Sequence, residues 1–98
     1  MRTDYLSEAK LEKRLVKGSK KLDCLVFKTQ FINQRGCPDR LIITPNGAHF
    51  WVEMKTSRGR LSNAQKRVIA TLLLYHQKVQ VLSSTEEVDG FLRMLECY

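Results

Sequence analysis

The apolar positions of this chain change their period several times, and each change predicts an element. Leu6, Leu11, Leu15 and Leu22, joined by Ala9 and Val16, recur at helical spacing and predict a helix over about residues 5–21. Gly18 is expected to weaken its last turn by up to about 1 kcal/mol. Residues 24–29, Cys-Leu-Val-Phe-Lys-Thr, predict a strand, and the polar stretch 30–38, which contains Gly36, predicts a mobile loop. Two short runs follow, Leu41-Ile42-Ile43 and Phe50-Trp51-Val52, parted by Thr44-Pro45-Asn46-Gly47-Ala48; they read as an antiparallel hairpin. Ser62 then caps a helix with a core stripe of Val68, Leu72 and Tyr75, residues 79–82 form a short strand, and Ser84 or Thr85 opens a final helix that buries Val88, Phe91, Leu92 and Leu95. The order αβββαβα predicts an α/β fold, a central mixed β-sheet flanked by helices, in a single domain spanning residues 1–98.

The hairpin carries the first geometric claim. A two-residue Asn46-Gly47 loop would set Asp39 opposite Met54 and send its side chain to the wrong face. A three-residue loop, with Pro45 and Asn46 at the centre of a type I turn and Gly47 in a left-handed bulge, makes paired positions sum to 92 and sets Asp39 opposite Glu53. Pro45 favours the second register, since it lacks the N–H that a ladder position uses. Lys55 follows Glu53 by two residues and therefore shares its face, as does Trp51, which is expected in the core. Pro38 holds Cys37 extended and presents Asp39 at the mouth of the strand.

Two carboxylates about 5 Å apart repel unless a cation lies between them. Hard oxygen ligands of this kind select magnesium or manganese. Hydrolysis of a phosphodiester near neutral pH uses such an ion to polarise the phosphate and acidify a water, and Lys55 would stand beside it to orient that water or to stabilise developing charge. The bland reading is that Asp39 and Glu53 pair with Arg40 or Lys55 as surface ions; the convergence of both acids with a lysine argues against it.

Arg35-Gly36-Cys37-Pro38-Asp39-Arg40-Leu41, then Trp51-Val52-Glu53-Met54-Lys55, then Gly59-Arg60-Leu61-Ser62-Asn63-Ala64-Gln65, with residues 11–16 upstream, resembles the VRR-NUC (virus-type replication-repair nuclease) group of the PD-(D/E)xK nucleases, in its stand-alone bacterial and phage type. The resemblance runs through nearly the whole chain. It departs after Lys55, where Thr56-Ser57-Arg58-Gly59 stands in place of the group's frequent Pro-Gly. It implies a Mg2+- or Mn2+-dependent DNA endonuclease that leaves a 5′-phosphate. Asp39, Glu53 and the backbone carbonyl of Met54 would hold the metal, Glu12 would contribute directly or through water, and Lys55 and Gln65 would position the attacking water. It further implies a homodimer acting on branched DNA such as a four-way junction. A non-catalytic basic nucleic-acid-binding module and a restriction-type enzyme on linear duplex are the alternatives; 98 residues leave the second little room for a sequence-reading element.

Charge adds a partner. Seventeen basic against ten acidic residues give a net charge of +7, which favours a polyanion. Arg35, Arg58, Arg60, Lys66, Lys13 and Lys17 are the candidate phosphate contacts, whereas Lys10 and Lys20 read as a solvated face. On the leading helix Glu8 and Glu12 lie four apart, so either could be an ordinary ion-pair partner; Glu8 reads as a first-turn charge suited to the helix dipole. Leu72, Leu73, Leu74 and Tyr75 give the second helix more apolar surface than one core face needs, as a dimer contact would. Three cysteines without a C-x-x-C argue against a disulfide framework and against a zinc site with His49 and His76. No apolar run reaches the length of a membrane span and no small-molecule cofactor motif occurs, so the chain is expected to stay in the bacterial or phage-infected cytoplasm where it is made.

Overall fold

Four strands in the order β1-β2-β3-β4 form the sheet of the computed structural model, which describes residues 7–55 and 59–98. The elements follow the expected sequence: α1 (Glu8–Lys21), β1 (Leu25–Lys28), β2 (Arg40–Ile43), β3 (His49–Met54), α2 (Asn63–Leu74), β4 (Val79–Leu82) and α3 (Thr85–Leu95). β1, β2 and β3 pair antiparallel in turn, and β4 runs parallel to β3, which requires the α2 crossover between them. No helix among the described residues is long and apolar enough to cross a membrane.

The β2–β3 register is the one that the three-residue loop demands. Arg40 stands opposite Val52, Leu41 opposite Trp51, Ile42 opposite Phe50 and Ile43 opposite His49, each pair summing to 92. The turn closes with the Gly47 N–H donating to the Thr44 carbonyl at 2.9 Å and the Thr44 N–H to Ala48 at 2.7 Å, while Gly47 takes φ +95°. A side chain there would strain the backbone, so a left-handed glycine sets the pairing.

Side-chain alternation then divides the sheet. Ile42, Phe50, Val52, Met54 and Leu82 point to one face, where they pack with Leu11 and Leu15 of α1 and Val88, Phe91 and Leu95 of α3. Leu92 fills the space above Gly18 that a larger residue would close, so the glycine that costs α1 some intrinsic stability lets α3 pack against it. On the other face α2 buries only Val68.

Three expectations change here. The stripe on α2 is shorter than predicted: Leu72 is half-buried and Tyr75, which caps the helix, is 71% exposed, as α2 packs chiefly on the edge strand β4. Trp51 is not a core residue; it lies half-buried with its indole N–H donating to the Gln77 side chain at 3.2 Å and its ring edge-on to Phe31. The 30–38 segment docks rather than hanging free, since Gly36, at φ +97°, lies so close to α2 that an added Cβ would sit 2.5 Å from the Ala64 carbonyl oxygen. All three cysteines are free, Cys24 buried and Cys97 exposed.

Candidate active site

Glu53 occupies β3, the most enclosed strand, and is 1% exposed. Its Oε2 accepts a hydrogen bond from Gln65 Nε2 at 2.8 Å and lies 3.8 Å from Lys55 Nζ. Its Oε1 is buried and has no hydrogen-bond partner among the described residues. Loss of hydration, then the charge of Asp39, push the carboxyl up to about 7; Lys55 opposes them, and Glu8 adds to the repulsion. A carboxyl in this state is stabilised by keeping its proton or by a cation at its oxygens.

Asp39 reaches the cluster through the strand entrance. Beyond the Arg40–Val52 pair the Met54 N–H would seek the Pro38 carbonyl; it donates instead to Asp39 Oδ2 at 3.2 Å. The Pro38 carbonyl is turned aside to accept from Thr29 Oγ1 at 2.6 Å, and the Thr29 N–H donates to the Asp39 carbonyl. Thr29, which the sequence did not single out, thereby clamps the Pro38-Asp39 step from the neighbouring strand.

Gln65 owes its orientation to helix capping. Ser62 accepts from the Gln65 N–H, while Gln65 Oε1 accepts from the Ser62 N–H at 2.8 Å, the reciprocal pair of a capping box. With its oxygen engaged, the amide must present its NH2 group to Glu53. A residue that starts the helix thus also fixes the rotamer of a buried acid.

No family model matches the chain. A protein of Acyrthosiphon pisum secondary endosymbiont phage 1 named "Putative nuclease p44" is 33% identical over 81 residues, covering 83% of this chain and 87% of that protein. A solved structure described as "VRR_NUC domain" superposes with a TM-score of 0.83 at 26% identity, over 88% of this chain and 94% of that one. The chain belongs to the VRR-NUC family of nucleases.

In this VRR-NUC chain the expected site residues are not all brought together. Asp39, Glu53, Lys55 and Gln65 converge. Glu12 does not join them: its Oε2 is held by Arg40 Nε at 2.6 Å, with both side chains about four-fifths buried. Arg40 follows Asp39 directly, so alternation turns it to the α1 face of the sheet and Glu12 goes with it. The α1 acid whose charge reaches Glu53 is Glu8, one turn earlier. Sequence could place both acids on one helical face, but the turn that meets the strand ends depends on how α1 docks. Among the basic candidates Lys13, Lys17, Arg35, Arg60 and Lys66 are exposed, and Arg58 lies outside the described residues.

The donor set suits a divalent ion. Among the described residues no three His, Cys, Asp or Glu side chains gather as a metal cage, and the acids offered are two, Asp39 and Glu53. Magnesium is commonly held by one or two carboxylates and keeps several waters. The unpartnered Glu53 Oε1, beside a second carboxylate, is the atom such an ion would satisfy.

Proposed function

We propose that the protein is a metal-dependent DNA endonuclease whose centre is Asp39, Glu53 and Lys55, with Gln65 as a positioning residue. The observation that carries this reading is the buried Glu53 with one oxygen held by Gln65 and the other unpartnered, next to Asp39. Asp39, Glu53 and the Met54 carbonyl would hold Mg2+ or Mn2+; of the α1 acids, Glu8 acts on Glu53 through its charge and Glu12 is paired with Arg40. The bound ion would supply Lewis acidity at a phosphate oxygen and acidify a water.

The chain's own residues do the rest. Lys55 places a cation beside Glu53, where it orients the attacking water and offsets charge that develops on the phosphate. Gln65, its own oxygen engaged at the cap, holds Glu53 Oε2 beside Lys55 and leaves Oε1 for the ion. Burial of Glu53 keeps bulk water from competing for its oxygens. The exposed lysines and arginines named above would bind the DNA backbone without reading sequence.

Branched DNA and a homodimer complete the proposal. A twofold pair would present two centres to a symmetric substrate such as a four-way junction. Exposed apolar side chains support it: Leu73, Leu74 and Tyr75 at the end of α2 are 53%, 74% and 71% exposed, and Leu25 and Phe27 on the α2 side of the sheet are about half exposed. The test is cleavage of labelled linear duplex, flap, splayed-arm and four-way substrates with and without Mg2+ or Mn2+, alongside sedimentation. Asp39→Asn and Lys55→Ala should lose cleavage while binding survives. Activity equal to wild type in both variants refutes the mechanism, and binding without cleavage by the wild type would make the chain a binding module.

A further inference from the structure

A cavity of about 570 Å3 lies between the 30–38 segment and α2. Phe31, Val68 and Leu72 give it apolar walls, and Gln34, Arg35 and Arg67 give it an amide and two guanidinium groups; among the described residues no acid lines it. The volume is that of a small-molecule site. Its shape is held on both sides: the backbone at Gly36 rests against Ala64, and Phe31 is propped edge-on to Trp51 at 6.1 Å between ring centres.

Both walls lead into the catalytic cluster. Ala64 precedes Gln65, and Arg35 stands four residues before Asp39, at most about 14 Å of extended chain. A ligand here would therefore lie within a few nucleotides of a phosphodiester at Glu53. Its chemistry is set by the lining: a flat apolar group for the walls, hydrogen-bonding edges for Gln34 and an anion for the two arginines. A nucleotide has all three. A paired base inside a duplex has its faces covered by its neighbours, so only a base outside the stack can enter a concave site.

We propose that this cavity receives one unpaired nucleotide of DNA next to the cleavage site, its base against Phe31 and Leu72 and its phosphate on Arg35 and Arg67. The inference rests on the nuclease reading and adds a selection rule to it: the enzyme recognises a strand by a base that has left the stack, not by its sequence.

Two duplexes of identical length, one fully paired and one with a single bulged 2-aminopurine nucleotide, test this with the whole chain in EDTA, where binding is read without cleavage. Wild type should bind the bulged duplex about tenfold more tightly and change the 2-aminopurine fluorescence. Phe31→Ala and Arg67→Ala should each reduce that preference about fivefold to tenfold. Thr71→Trp, which fills the cavity from an exposed position on α2, should remove the preference and the fluorescence change together. Equal wild-type affinity for the two duplexes, or a preference that survives Thr71→Trp, overturns the proposal. Adding Mg2+ separates it from the nuclease reading. Cleavage without a binding preference sinks the cavity and spares the nuclease, whereas a preference without cleavage does the reverse.

Discussion

The two faces of the sheet are built to different standards. Against α1 and α3, Leu11, Leu15, Ile42, Phe50, Val52, Met54 and Val88 are sealed from solvent at 0–1% exposure. Against α2, Val68 is the one buried apolar side chain of the helix, Leu25 and Phe27 remain about half exposed, and a carboxylate, Glu53, is more buried than any of them. Folding free energy therefore comes mainly from one face, and the candidate site lies on the other. The dense face can carry the cost of a desolvated acid with an unpartnered oxygen, a usual division where a functional site is destabilising. It also explains why apolar surface is left over near α2: that helix positions Gln65 and walls a cavity, and covers little of the sheet.

Substitution should expose this division most clearly in the core. Phe50→Ala, which removes a ring packed edge-on to Phe91 and Tyr98, should cost about 3–5 kcal/mol in urea unfolding. Phe27→Ala on the opposite face should cost about 1 kcal/mol or less. Similar losses at the two positions would erase the contrast. Lys55→Ala should have the converse signature, a fall of about 10²–10³ in the cleavage rate with a urea midpoint close to wild type.

A pH titration sharpens the comparison through Glu53. Its carboxyl, raised from 4.5 to about 7, keeps a proton in the folded state that the unfolded chain has already released. The destabilisation is therefore absent below about pH 4.5, grows as pH rises, and is complete above about pH 7. It amounts to at most about 3 kcal/mol in the metal-free protein. Glu53→Gln should remove this component, so that wild type and variant diverge in EDTA between pH 5 and 8; parallel curves would show that the acid is not strained. The smallest effect belongs to Ser62→Ala, about 1 kcal/mol of stability through the lost cap, with a fall in cleavage rate because Gln65 is no longer pinned. Stability lost without any change in rate would separate the cap from the site.

Much of the geometry of the candidate site was legible because it is local. Asp39, Glu53 and Lys55 lie on two strands joined by a three-residue loop, and the needs of Pro45 and Gly47 leave one register that puts both acids on one side. Gln65 was legible through its helix start, although its double engagement with Ser62 and Glu53 was not. The pairing of Glu12 with Arg40 was not legible, for a different reason. Helical periodicity states which residues share a face, but Arg40 decides which turn meets the sheet, and its pairing with Glu12 appears only when α1 has docked. Trp51 misled in the same way, since a shared face with Glu53 does not say how far α2 extends over it.

By itself, then, the sequence determined the order of the elements, the register of the hairpin and the carboxylate pair, because turn geometry and strand alternation act over a few residues. Tertiary structure decided the rest: which α1 acid faces Glu53, that Gly36 seats the 30–38 segment on α2, and that a cavity opens between them. Those features depend on contacts between elements remote in the chain, where burial and close packing select the arrangement and no local pattern records it.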